Sequence, residues 1–173
     1  MTLQLVKTIV MEELTRMILK VGDKAPHFTL KTMGSEGLLD VDIAGEIGKK
    51  KIVILFFPLA FTSVCTGELC SVTNSLNDYA ALDAEVFAIS VDSPFAQDAF
   101  AKKNGIKVTL LSDFNKEVSE KYGVLFPELM GLKGVAKRAA FVIGMDGKIL
   151  HAEASDDPAK LPDFETIQKI LRG

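Results

Sequence analysis

Ile52-Val53-Ile54-Leu55-Phe56-Phe57 is an unbroken apolar run behind Lys51. A run of that length with no polar alternation predicts a strand buried on both faces, over 51–57. Pro58 ends it, because proline has no N–H for a central ladder. The period then changes. Cys65, Leu69, Val72, Leu76 and Tyr79 recur at helical spacing and predict a helix over 62–81. Thr62 is its N-cap candidate, with a hydroxyl placed to accept from the N–H of Val64 or Cys65. Cys65 then occupies the third helical position.

The alternation continues along the chain. Strand patterns fall at 85–91 and 108–111, and helix patterns at 94–104 and 115–122. Ser93-Pro94 opens the first of these helices, Gly105 stops it, and Gly123 stops the second. Strands alternating with helices imply parallel pairing with both faces covered. The order then turns to two strands, 138–143 and 148–152, around Met145-Asp146-Gly147, an Asp-Gly hairpin signal. A last helix is expected over 162–171. Before the regular part, Phe28/Leu30 and Leu39/Val41/Ile43 suggest one or two short strands. Leu3, Val6, Val10, Leu14 and Met17 keep a helical rhythm, so 1–16 reads as an extension ahead of one domain over 17–173. The expected class is α/β, a central mixed sheet flanked by helices.

Composition changes this picture little. A chain of 173 residues suits one domain with a full core, and 25% charged with 48% hydrophobic residues is ordinary for a globular protein. A net charge of −3 gives no reason to expect nucleic acid or an anionic membrane as partner. No apolar run reaches the ~20 residues of a membrane span. Two cysteines are too few for a disulfide scaffold, no secretory leader is visible, and a reducing cytoplasm is expected.

Cys65 carries the candidate chemistry. The first four amides of a helix lack helical partners, and the macrodipole adds partial positive charge there. Both favour a sulfur anion, the nucleophilic form. The carboxyl end of a strand is also where open α/β sheets place ligands. Against this, Cys65 lies on the apolar stripe, and small buried hydrophobe is the commonest fate of a free cysteine. From position alone the two readings stand level.

Pro58-x-x-x-Thr62-x-x-Cys65, extended by Cys65-Thr66-x-Glu68, resembles the peroxiredoxin signature. Phe56-Phe57-Pro58-Leu59-Ala60-Phe61-Thr62 looks most like the alkyl hydroperoxide reductase E-like and bacterioferritin-comigratory-like branches. The segments 91–97, 110–114 and 131–138 resemble peroxiredoxins too, so the likeness runs from Met17 to the C-terminus. It implies a thioredoxin-like fold with peroxiredoxin additions, and a thiol-dependent peroxidase acting on hydrogen peroxide and organic hydroperoxides. It calls for no cofactor and no metal. In that family's terms Cys65 is the peroxidatic residue, Thr62 binds the peroxide through its hydroxyl, and Pro58 covers the sulfur. Arg138 supplies the active-site cation. Thioredoxin or a similar dithiol is the expected reductant, and a homodimer the expected assembly.

Some positions stay open. Arg138 and Lys137 could be solvated charges at a strand edge. Glu68, three residues after Cys65 on one helix face, either orients Arg138 or is an exposed helix glutamate. Cys70 is the candidate resolving thiol. On an intact helix it points about 140° away from Cys65 and lies about 7.5 Å further along the axis. A disulfide wants Cα atoms about 4.4–6.8 Å apart, so the first turns must unwind. Relatives of the bacterioferritin-comigratory type resolve through this spacing, and Gly67 eases unwinding by ~1 kcal/mol. Cys70 shares its face with Thr66, Thr73 and Asn77, which suits an accessible thiol.

The alternatives are a one-cysteine enzyme reduced directly by an external thiol, a redox sensor without turnover, and a catalytically silent relative. Departures from the family pattern are Phe57 where many relatives have tyrosine, His27 where an acidic or polar residue is more usual, and no cysteine near 100–102, where the thiol peroxidase branch keeps its resolving residue. His27 is read as a surface residue. Neither a Cys-x-x-Cys pair nor a paired zinc-ligand pattern is present.

Overall fold

The computed structural model describes residues 17–173; the expected extension, 1–16, lies outside them. Two short strands come first, β1 (Thr29–Gly34) and β2 (Gly37–Asp42), followed by one helical turn, α1 (Ile43–Glu46). The regular part follows as β3 (Lys51–Phe56), α2 (Ser63–Asn74), α3 (Leu76–Ala81), β4 (Ala84–Ser90), α4 (Pro94–Asn104), β5 (Thr109–Ser112) and α5 (Glu117–Lys121). Then come the two-residue strands β6 (Leu125–Phe126) and β7 (Val135–Ala136), the hairpin β8 (Arg138–Ile143) and β9 (Ile149–Ser155), and α6 (Phe164–Arg172).

Seven strands form one mixed sheet in the order β2-β1-β5-β4-β3-β8-β9. Pairing is parallel in the β5-β4-β3 centre and antiparallel on both flanks. The alternation of strand and helix therefore foretold the centre only. β3 is buried on both faces, as its unbroken apolar run requires. Val53 and Leu55 face a cluster made with Leu69 and Val72 of α2, Phe100 of α4, and Ile167 and Leu171 of α6. Ile52, Ile54 and Phe56 face the other cluster, with Ile43, Val118, Tyr122 and Phe141. Each fully buried Leu, Ile or Phe contributes roughly 1.5–3 kcal/mol.

Local signals account for most boundaries. Ser93 caps α4 by accepting from the Ala96 N–H at 3.2 Å, Pro94 sits in its first turn, and Gly105 closes it in the left-handed region at φ +67°. Gly147 takes φ +78° in the Asp-Gly turn, where its N–H meets the Gly144 carbonyl at 3.0 Å.

Two helices differ from their predicted extent. The helix expected over 62–81 breaks at Ser75, whose N–H reaches back to the Val72 carbonyl at 3.0 Å and tightens the last turn. Thr73-Asn74-Ser75 is a run of residues whose side chains compete with helical backbone bonds. The helix expected over 115–122 shrinks to α5, because Lys116 is left-handed at φ +65°. Its cap is Asp113, whose carboxylate accepts from Val118 and Ser119 at 3.1 and 2.7 Å.

Candidate active site

β3 delivers the chain to Phe57, whose N–H still bonds the Ile89 carbonyl of β4 at 3.0 Å. Pro58 ends that ladder, and five residues later α2 begins. Cys65 is its third residue and is buried. Phe61, between strand and helix, holds φ +64°, a conformation that non-glycine residues rarely take. Thr62 occupies the N-cap position with extended backbone, but its hydroxyl makes no capping bond. It donates instead to the Leu59 carbonyl at 2.8 Å. The expected cap is thus absent. The turn back over 59–62 satisfies the hydroxyl first, and among the described residues no side chain caps the first-turn amides.

Arg138 is brought to the sulfur by strand pairing. β8 runs antiparallel to β3 with Phe56 opposite Ala139, so the first residue of β8 lies beside the carboxyl end of β3. The guanidinium Nη2 donates to the Cys65 Sγ at 3.2 Å. Nε donates to the Pro158 carbonyl at 2.9 Å, and Nη1 bonds Glu68 Oε2. Arg138 is 2% exposed and Glu68 1% exposed, so neither is a solvated surface charge. Burial pushes the Glu68 carboxyl up to about 7, against the pull of the Arg138 charge and hydrogen bond. Its second oxygen, Oε1, has no hydrogen-bond partner among the described residues. Lys137 points the other way, pairing with Asp156 at 2.6 Å and covering the Phe126 ring.

A cavity of about 150 Å³ opens over the sulfur. It is lined by Pro58, Thr62, Val64, Cys65 and Arg138, together with Leu129, Met130, Pro158 and Ala159. Its wall is almost wholly apolar apart from the sulfur, the hydroxyl and the guanidinium. Larger grooves of about 420 and 460 Å³ run along β1, and neither is lined by a cysteine. Pro158, Ala159, Leu129 and Met130 were missed by the sequence reading. They sit in irregular segments with no periodicity, and only the β8–β9 hairpin, which sets Arg138 opposite Ser155, brings the first two near.

Cys70 does not line the cavity. It faces the end of α4, its Sγ donating to the Asn104 carbonyl at 3.6 Å, and is half-buried against the α2 cluster. Thr73 of the same face accepts from the Lys107 N–H at 3.1 Å. The polar face of α2 is therefore docked on the turn after α4 and is less accessible than its composition implied. Both cysteines are free, and α2 is continuous through them. His27 is exposed, and no cluster of three metal-ligating side chains occurs among the described residues. No helix among them is long and apolar enough to cross a membrane.

The arrangement brings together a buried cysteine sulfur, a cation fixed 3.2 Å from it, first-turn helix amides and a small apolar opening. A family model described as the AhpC/TSA family matches residues 21–152. The chain is 37% identical to alkyl hydroperoxide reductase E of Mycobacterium bovis, over 79% of this chain and 86% of that one. It is 33% identical to the chloroplastic 2-Cys peroxiredoxin BAS1 of Hordeum vulgare, over 76% of this chain and 64% of that one. The chain spans about half to two thirds of the length of such plant relatives. Among solved structures, the reduced 2-Cys peroxiredoxin of Plasmodium vivax superposes with a TM-score of 0.78 at 32% identity, covering 88% of this chain and 80% of that one. The thioredoxin-like fold expected from the sequence is thereby borne out. On these grounds the chain belongs to the AhpC/TSA family, the peroxiredoxins.

Proposed function

We propose that the chain is a thiol-dependent peroxidase that reduces hydrogen peroxide and organic hydroperoxides, with Cys65 as the peroxidatic residue. The observation that carries this reading is the Arg138 guanidinium, 3.2 Å from the Cys65 sulfur beneath an open cavity. The Cys65 thiolate attacks one peroxide oxygen. An S–O bond forms as the O–O bond breaks, and the sulfur is oxidised to sulfenic acid. The other oxygen departs as hydroxide or alkoxide and takes a proton to become water or an alcohol. Arg138 stabilises the sulfur anion before attack and the oxygen charge during it, because its fork presents several donors in one plane. Thr62 turns its hydroxyl oxygen, already donating to Leu59, as an acceptor for the peroxide proton. Pro58 and the apolar wall hold water away. Glu68 orients the guanidinium.

Resolution follows through Cys70. Its thiol attacks the Cys65 sulfur, water leaves, and an intramolecular disulfide forms, to be reduced by thioredoxin or a similar dithiol. The spacing on α2 requires that helix to unwind and Cys70 to leave Asn104. A second reading, a one-cysteine enzyme reduced directly by an external thiol, is favoured by that same enclosure of Cys70. The enzyme works in a reducing cytoplasm, where both thiols regenerate. It takes a second copy as partner, supported by the exposed Phe95 and Phe114 side chains on one groove. Mass spectrometry after one equivalent of peroxide tests the scheme. A Cys65–Cys70 disulfide supports internal resolution, a persistent sulfenic acid the one-cysteine route, and unmodified Cys65 refutes both.

A further inference from the structure

Asp92, just beyond the end of β4, does not line the cavity, yet it holds the segment whose Pro58, Leu59 and Thr62 do. Its carboxylate Oδ2 accepts from the Ala60 N–H at 2.8 Å and from the Ser90 hydroxyl at 2.7 Å. The Ser90 oxygen in turn accepts from Gln97 Nε2 at 2.9 Å, and Gln97, 2% exposed, also donates to the Leu111 carbonyl at 2.9 Å. The Asp92 carbonyl accepts from the Ser112 hydroxyl at 2.6 Å. Donors from α4 by way of Ser90, and from the backbone between Pro58 and Thr62, therefore converge on one carboxylate oxygen of Asp92.

That backbone needs an anchor. Phe61, a 53% exposed residue, sits at φ +64° with its ring leaning on Phe100 at 5.2 Å between centroids. A left-handed phenylalanine persists only where its neighbours over-determine it. The Ala60–Asp92 bond is the polar tie immediately before it, and the Thr62–Leu59 bond the one immediately after. We infer that Asp92 is a positioning residue for the peroxidatic segment, tying Ala60 so that Pro58, Thr62 and the first turn of α2 keep their places around Cys65. The inference rests on the proposed peroxidase function for its kinetic consequence, but its structural consequence can be read without it.

Two measurements on the full chain decide it, hydrogen exchange of the 57–62 amides and stopped-flow oxidation of Cys65 by hydrogen peroxide. Asp92→Ala removes both bonds to Oδ2. We expect exchange over 57–62 to accelerate at least about tenfold, and the oxidation rate constant to fall about 10- to 100-fold, the effect of a displaced reacting group. Asp92→Asn keeps an acceptor oxygen and should stay within about threefold of the parent in both. A purely structural role would lower the melting temperature of Asp92→Ala and leave the rate constant of its folded form unchanged, and that result overturns the inference. So does unchanged exchange over 57–62, or an Asn variant as impaired as Ala. Should Asp92→Ala fail to fold, Ser90→Ala, which removes one of the two donors, must show the same two changes at smaller size; if it shows neither, the inference fails. If the parent protein leaves peroxide untouched, the peroxidase reading falls, and exchange alone then decides for or against the tie.

Discussion

The guanidinium of Arg138 and the sulfur of Cys65 are 73 residues apart in the chain and 3.2 Å apart in space. Antiparallel pairing of β8 with β3 creates this contact, since Phe56, the last residue of β3, lies opposite Ala139 and so sets Arg138 just past the end of β3. Glu68, one turn beyond Cys65, holds the same guanidinium from the other side. Three side chains from two distant segments thus form one buried unit.

Removing the cation should slow chemistry and weaken the fold by separable routes. Arg138→Ala should lower the rate of Cys65 oxidation by peroxide about 10²- to 10³-fold, the usual loss for a fixed donor at a developing charge. It should also destabilise the protein by about 3–5 kcal/mol, because Glu68 remains buried and unpaired. The double variant Arg138→Ala with Glu68→Gln should recover much of that stability and none of the rate. Stopped-flow kinetics and urea unfolding on the three proteins check both parts; a parent-like rate in Arg138→Ala would return the arginine to a structural role.

Glu68 predicts a pH dependence of stability. Its carboxyl is raised from 4.5 to about 7 in the fold, mainly by burial. A raised value favours the protonated form in the native state, so this contribution is complete below about pH 4.5 and is lost as pH rises through about 7. Glu68→Gln lacks the titration. Unfolding free energies compared between pH 4.5 and 7.5 should show the Gln variant gaining on the parent with rising pH, by on the order of 3 kcal/mol at most. A difference that does not change with pH would contradict the assignment.

Cys65→Ser should abolish peroxide consumption while leaving the melting temperature within a few degrees of the parent. Cys70→Ser should still undergo one oxidation event and form no intramolecular disulfide. Equal turnover with thioredoxin in the parent and in Cys70→Ser would favour direct reduction by an external thiol.

Gly67 stands between the two cysteines, exposed, and a Cβ there would meet nothing within 4 Å. Gly67→Ala should therefore stabilise α2 by about 0.5–1 kcal/mol. If resolution runs through a Cys65–Cys70 disulfide, which requires α2 to unwind, its formation after oxidation should slow about two- to fivefold, with the first oxidation step unaffected. Quenched-flow trapping of the sulfenic acid measures both steps. Disulfide formation as fast as in the parent would mean that helix opening does not limit resolution.

The chain order was readable because helices and strands satisfy their backbone groups locally or with obvious partners. The β3 run, the Ser93-Pro94 start and Gly105 stop of α4, and the Asp-Gly turn each carry a signal within a few residues. Where polar residues of low helix propensity stand, or a side chain finds another partner, that reading failed. Thr73-Asn74-Ser75 breaks a helix that apolar spacing alone would continue, and the Thr62 hydroxyl turns back to Leu59 rather than forward to the helix amides.

By itself the sequence determined the mixed α/β class, the helical position of Cys65 and the residue types that could assemble around it, because hydrophobic period and capping chemistry act over one or two turns. Only the tertiary structure decided that Glu68 is buried, that Cys70 faces Asn104 rather than the cavity, and that Pro158 and Met130 wall the opening. Those outcomes depend on which strand lies beside β3 and what then covers it. Sheet order is chosen by the free energy of the whole core, which no short window of residues contains.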